Sequence, residues 1–549
     1  MTSSRQPQAS APAETILCAA AFVSPGTAED HRGVTHVAIA GGEIVALGGD
    51  EVAAEWCDEH TAVHDFAGAT VLPGLVDTHV HPVWGSLQRG SSVSLAAASS
   101  LEELRAVLSG ELPTERGRWL HGHDLDLDIF AGDPSGRMLE HWFPGVPLVL
   151  MARDAHSLVV SPSLLADLGI TGERTFPDAS RIAVDAAGPT GWVVELSAMD
   201  LVLDSDTSPQ LPLTERARHL QAGLEELAAG GLTAIHALDF HDPSQALYEE
   251  LERVGDLPLK VRVFPLIPAD SGIEAWEEAA ALQGIGGRRW CVAGVKFMLD
   301  GTGENGTAWF SEPDSEGENH RPLWRDLAQY RAAMRFFTER GIQTVTHAIG
   351  DGAVAWVLDL VAEIGHAPGA PHRIEHIESI PDALLARFAE TGVVAGMQPT
   401  HATRLMEPNG ADAWTRRIGH VRRADGWRAA DLLAHGATLV VSSDWPIGVG
   451  DPRIGLADAQ LRRAVDAPSN APMNIGQALS VEQAYAAMTS APAAAEGRTG
   501  RSGEIAVGAA ADLVVFEANP LELSPEAQPH NRVLARYIDG VRVETKEWQ

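Results

Sequence analysis

The sequence predicts an α/β chain: a distorted (β/α)8 TIM barrel with a small β-sandwich domain composed of both termini. Two patterns predict it. The first is a beat repeated through the middle of the chain: an amphipathic stretch, a glycine, then a short apolar run. Residues 214–229 carry apolar side chains at helical spacing, Gly230 and Gly231 end them, and 232–238 read as a buried strand. The beat returns at 327–340, Gly341 and 342–348; at 382–391, Gly392 and 393–397; and at 428–435, Gly436 and 437–442. Helix, glycine and buried strand in succession build a parallel sheet, and this many units over roughly 250 residues suit a barrel. The second pattern is short alternating apolar runs at both ends. Val37 to Ala40, the pair Gly41-Gly42 and Glu43 to Gly48 make a hairpin signature. Residues 503–508, 511–516 and 533–543, with Asp539-Gly540 at a turn, behave the same way.

These patterns divide the chain. Residues 1–13 are small and polar and read as a disordered tail. Residues 14–71 and 495–549 form the composite sandwich, and 72–494 the barrel, enlarged by insertions at about 83–146 and 301–322. The second insertion is polar and Gly-rich, as expected of a loop over a site. The apolar stretch 15–23 has only Arg5 as a basic flank and continues into strand-like alternation, so it reads as folded protein rather than a signal core.

With 45% hydrophobic and 21% charged residues in 549, the composition is that of a soluble globular chain. No apolar run is long enough to span a bilayer, and a cytoplasmic location is the expectation. The formal net charge of −35 disfavours nucleic-acid and anionic-membrane partners. A small-molecule substrate remains, and a homodimer is the one assembly considered. Cys18, Cys57 and Cys291 are scattered, which argues against disulfides and a thiolate metal site.

Chemistry-bearing residues collect at the ends of the expected strands. A buried run leads into His79 and His81; two residues apart on a strand, both imidazoles share a face and can hold one cation. The chain has three lysines, and one, Lys296, sits inside the apolar run 292–299. Burying an ammonium is costly. Its amine is therefore neutral, paired, or converted to a carbamate that ligates metal. His347 and His376 end two further strands, and Asp444 follows a third. Each alone has a structural explanation, as a core histidine or a turn-forming aspartate. As a set they terminate successive strands at the carboxyl side, where parallel barrels build their active sites.

Through Asp77-Thr78-His79-Val80-His81, Asp154-Ala155-His156-Ser157, Val295-Lys296-Phe297-Met298-Leu299-Asp300-Gly301, His347-Ala348-Ile349-Gly350-Asp351, Arg373-Ile374-Glu375-His376 and Ser443-Asp444-Trp445-Pro446, the chain resembles the amidohydrolase superfamily. The likeness is to the family that includes the N-substituted formamide deformylases, and it runs from about residue 14 to 539. It implies that His79, His81, His347 and His376 bind metal, that Lys296 bridges metal as a carboxylated lysine, and that Asp444 serves the catalytic water. An aspartate often found after the third strand of that family is replaced near Ala237, with Asp239 slightly later.

The expected cofactor is one or two divalent ions, zinc being suited to imidazole and carboxylate donors. The expected reaction is hydrolysis of a C–N bond, amide or N-acyl/N-formyl, by metal-activated water. Asp444 would be the general base, and His156 the further donor to the oxyanion. His121 and His123 form a second His-x-His, explained by a polar loop. Trp84, Trp309, Trp324 and Trp445 suggest an aromatic mouth. Three other activities compete. A deaminase on this scaffold places a glutamate three residues after the fifth-strand histidine, where this chain has Gly350. A lactonase or esterase would use the same residues on a C–O bond. A non-catalytic ligand-binding scaffold would be expected to have lost them.

Overall fold

Eight parallel strands form the central sheet of the computed structural model, which describes residues 12–28, 31–113, 118–206, 211–241 and 243–544. They are β1 (Leu75–Val80), β2 (Leu232–Phe240), β3 (Lys260–Ile267), β4 (Val295–Met298), β5 (Thr344–Ala348), β6 (Arg373–His376), β7 (Val394–Met397) and β8 (Leu439–Val441). Each pairs in parallel with the next, and the short strand Trp290–Val292 adds to β3. The helices between them work as their sequences dictate. Helix Leu213–Ala229 buries Leu220, Leu224 and Leu227 at helical spacing. Helix Asp382–Thr391 stops at Gly392, whose φ of 72° is the left-handed cap a glycine takes without strain.

The seam between β8 and β1 closes in two places. Between the start of β1 and the end of β8, Val76 N donates to Met488 O and Val441 N to Ala487 O, so a later segment fills the gap. At the carboxyl end, Asp444 N donates to His79 O at 2.8 Å and His81 N to Trp445 O at 2.7 Å. Asp77 tightens this seam by accepting from Ser443 N at 3.1 Å. The contacts that close the barrel thus also set Asp444 against the first histidine pair.

Both termini build one continuous seven-stranded sheet, in the order Val541–Val543, Val533–Ile538, Leu513–Phe516, Ala62–Pro73, Thr15–Phe22, His36–Ala40, Glu43–Gly48. The expected terminal domain is thus one sheet that curls about its own core. A register shift between Ala19 and Ala21, beside Gly68 at a φ of 83°, bends it. The hairpin tip then meets the far end, with Ala511 N donating to Gly42 O. Val37 and Ile44 share one core with Leu513 and Tyr537. Ala13, assigned to the tail by composition, is buried and hydrogen-bonded to Trp56; residues 1–11 lie outside the described residues.

The first insertion differs from expectation at both ends. Helix Pro82–Ser91 packs on helix Leu213–Ala229 and belongs to the barrel. The inserted unit is a six-stranded sheet from Val93–Ser94 to Gly188–Val194, running well past residue 146. The apolar strand Leu148–Ala152 lies inside it. A short apolar run has the same composition in an inserted sheet as in a barrel, so pattern alone misplaced the boundary. Among the described residues, no helix is long and apolar enough to cross a membrane.

Candidate metal centre and active site

The carboxyl ends of β1, β5 and β6 and the turn after β8 meet in one buried cluster. His79, His376 and Asp444 present donor atoms all within 4.8 Å of one another. Asp444 lies at its centre. Its Oδ1 is 3.3 Å from His79 Nε2 and 3.1 Å from His81 Nε2, and its Oδ2 is 3.6 Å from His401 Nε2 and 3.9 Å from His376 Nδ1. Lys296 Nζ is 3.5 Å from His79 Nε2. The His347 ring centre is 4.3 Å from that of His376, while its Nε2 faces the Gly301 carbonyl at 3.2 Å. Of the expected ligands, then, three are tightly grouped, His81 and Lys296 adjoin them, and His347 stands one ring away.

Backbone shape explains how neighbouring residues serve one cluster. On a regular strand Glu375 and His376 would point to opposite faces. His376 has a φ of 77° and Asp444 one of 58°, both left-handed values unusual for a residue with a Cβ. The turn at His376 lets Glu375 reach His79 (3.1 Å) while His376 itself faces Asp444. Such conformations cost on the order of 1–3 kcal/mol each and gather at functional sites.

Burial keeps the imidazoles of His79, His347 and His376 well below their ordinary pKa, with neighbouring positive groups adding to the effect. They are therefore neutral, the form that binds metal. Burial likewise pulls Lys296 down to about 8, against the pull of Glu375 and Asp444. For Asp444, burial acts upward, but His79, His81 and His401 outweigh it and hold the carboxyl below the usual range. Asp444 Oδ1, His376 Nδ1 and His401 Nε2 are buried without a well-formed hydrogen bond. Leaving each so costs about 1–3 kcal/mol, and a divalent cation among them would satisfy all three. Imidazole and carboxylate donors suit zinc or a similar ion. The residues fit the metal.

The sequence profile of the amidohydrolase family matches residues 62–544. This chain belongs to the amidohydrolase family. It is 27% identical to the Bacillus subtilis (strain 168) protein YtcJ over 474 residues, covering 84% of this chain and 86% of that one. It is 23% identical to the N-substituted formamide deformylase of Arthrobacter pascens over 534 residues, covering 92% and 94%. Among solved structures, an uncharacterized metal-dependent hydrolase from Pyrococcus horikoshii OT3 superposes with a TM-score of 0.72 at 22% identity, over 94% of this chain and 99% of that one. The chain is thus a hydrolase, and His79, His376 and Asp444 form a group that could hold a metal ion.

In this amidohydrolase the inserted sheet contributes His156, on the turn between Leu148–Ala152 and Ser157–Val160. Its Nδ1 is 2.9 Å from Glu195 Oε2, and its ring centre lies 5.2 Å from that of His347. Burial alone would lower its pKa, but Glu195, with Asp154, lifts it to about 9. His156 is therefore a cation beside the metal centre at neutral pH. The loop 301–322 fastens this unit to the barrel mouth, with Thr307 donating to Glu195 and Asn305 to Asp154.

Sequence reasoning missed several groups. His401 follows β7 at its carboxyl end, and its ring stacks on His376 at 16°. It carried the same strand-end signal as the others but stands four residues beyond the strand. Asp300, in a quoted motif, accepts from Ile349 N, Gly350 N and Trp309 N, and burial raises it to about 7. The aromatic mouth is smaller than expected. Trp324 and Trp445 are buried to 0% and 1% exposure, the former donating to Met298 O, so both are core. Trp84 stands edge-on to His81 at 6.2 Å between ring centres. His121 pairs with Asp206 and His123 with Ser92, within or beside the inserted sheet.

Proposed function

We propose that this amidohydrolase hydrolyses an amide-type C–N bond, N-formyl or N-acyl, in a small molecule. The observation that carries the reading is Asp444, an ionised and buried carboxylate within 4 Å of four imidazoles, whose Oδ1 has no well-formed hydrogen bond. His79, His376 and Asp444 would hold a divalent ion, with His81, His347 and Lys296 adjoining it; such an ion would supply a more acidic water and polarisation of the substrate carbonyl. Asp444 accepts the proton of the attacking water and passes it to the leaving nitrogen. His156, charged and anchored by Glu195, donates to the carbonyl oxygen as negative charge builds there. Lys296, near 8, has enough free amine at neutral pH to take up carbon dioxide as a carbamate, releasing a proton.

Amide hydrolysis is favoured over deamination by more than the identity of residue 350. A Cβ on Gly350 would lie 2.1 Å from Trp309 O, so a glutamate shuttle has no room there. The relative whose name states a bond, the Arthrobacter deformylase, is named for a formamide. The test is a panel of N-formyl amines, N-acyl amines and lactones of matched size. We expect kcat/KM for the best amide to exceed that for the best lactone by at least about 100-fold, close to 3 kcal/mol of transition-state discrimination. The opposite ratio would make the enzyme a lactonase.

His156 gives this reading a pH signature. Its folded pKa, about 9, stands above the ordinary 6.5. The linked stability is therefore fully present below 6.5 and lost as pH rises through 9, and amounts to on the order of 3 kcal/mol. Turnover should fall across the same alkaline limb as the oxyanion donor loses its charge. Glu195→Gln removes the charge that holds the proton, so the limb should move down by one unit or more in a pH–kcat profile. A limb that stays at its wild-type position would remove His156 from the mechanism.

A further inference from the structure

Below the metal centre, a chain of buried charged and polar groups runs through the barrel interior. His79 Nδ1 is 3.1 Å from Glu375 Oε2, and Arg373 Nε donates to Glu375 Oε1 at 2.7 Å. Arg373 Nη2 donates to Thr78 O at 2.7 Å, and Nη1 lies 2.8 Å from His236 Nδ1. His236 Nε2 in turn is 2.9 Å from Glu496 Oε1. Arg262 and Arg498 stand 3.7 and 3.5 Å from the other oxygen of Glu496. His79, Glu375, Arg373 and His236 are all 0% exposed.

This ladder has only one hydrogen-bonding direction. A guanidinium donates and cannot accept. His236 Nδ1 must therefore be the acceptor, its proton sits on Nε2, and that proton is given to Glu496. Burial, reinforced by Arg373 and Arg262, lowers His236 to about 4, in keeping with a neutral ring. Glu375 can only accept, so the proton of His79 is fixed on Nδ1. The Nε2 lone pair of His79 is then the one turned towards Asp444 and Lys296. Carboxylates that hold a ligand histidine in one tautomer raise its basicity and its metal affinity.

We propose that His236 and Glu496 are positioning residues for the metal centre, acting through Arg373 and Glu375 to fix the tautomer and aim of His79. Without His236 a buried Arg373 N–H loses its acceptor, the guanidinium turns towards another, and Glu375 is released from its hold on His79. The sites are far apart in sequence: β2, the residue after helix Ser490–Ala495, and β6 meet only in the closed barrel.

The inference rests on the metal centre proposed above, and the test separates the two. Metal affinity of the purified full-length protein is measured by zinc competition against a chromophoric chelator, beside kcat, KM and the unfolding midpoint. His236→Phe, which keeps a ring but no nitrogen, should weaken zinc binding by 10- to 100-fold and lower kcat with KM unchanged. His236→Asn, whose Oδ1 can stand where Nδ1 stood, should recover most of both. A purely structural role would instead move the midpoint alone and leave zinc affinity at the wild-type value, overturning the proposal. If His236→Phe does not fold, Glu496→Ala decides: a loss of zinc affinity of several-fold or more supports the ladder, and no change ends it. A wild-type protein that binds no zinc would sink the metal centre itself.

Discussion

Asp444→Asn should cut turnover by roughly 10²- to 10⁴-fold, the range of a lost general base, while the unfolding midpoint stays within a few degrees. The asparagine keeps the backbone N–H that closes the barrel onto His79 O, so the fold is spared. The carboxylate lies 3.3 and 3.1 Å from the imidazoles of His79 and His81, and an amide there can neither take a proton from water nor carry the charge that a cation needs. Steady-state kinetics and circular dichroism on the same preparation check both halves. A variant with wild-type kcat would show that proton transfer runs through some other group.

Stripping metal should abolish activity entirely and restore it on adding back a divalent ion. His79, Lys296, His347, His376 and Asp444 are buried to 4% exposure or less, and Asp444 Oδ1, His376 Nδ1 and the adjoining His401 Nε2 have no well-formed hydrogen bond. An apo protein therefore keeps a buried cluster of uncompensated ligand atoms. Because the ion binds the folded state alone, its removal should also lower the unfolding midpoint, by an amount that grows with the logarithm of metal concentration over Kd. Calorimetry with and without a chelator, followed by a zinc or manganese titration of activity, reads both effects. Full turnover after exhaustive dialysis against chelator would rule out a metal-activated water.

The residues that the fold brings together are legible in the sequence where the chemistry is local. The His79-x-His81 spacing, the misplaced-looking Lys296 and Asp444 after an apolar run each stand out because a polar group at the end of a buried strand has few other reasons to be there. His401 escaped because its strand end is followed by a further turn before the side chain reaches the cluster. His236 and Glu496 escaped for a different reason. Each reads as an ordinary polar residue until the barrel brings Arg373 between His236 and Glu375. The boundary of the inserted sheet was misjudged because a short apolar strand does not declare which sheet it joins.

Periodicity and strand-end chemistry alone determined the parallel α/β architecture, the composite terminal domain and most of the Asp444 cluster, since hydrophobic burial and the cost of burying charge act on the chain residue by residue. Tertiary structure alone decided that the terminal domain is one curled sheet, that His156 reaches the site from an insertion, and that His376 turns inward against strand alternation. Those features depend on barrel closure and on left-handed backbone at His376 and Asp444. Such conformations are unfavourable locally, and only the surrounding packing makes them the lowest in free energy.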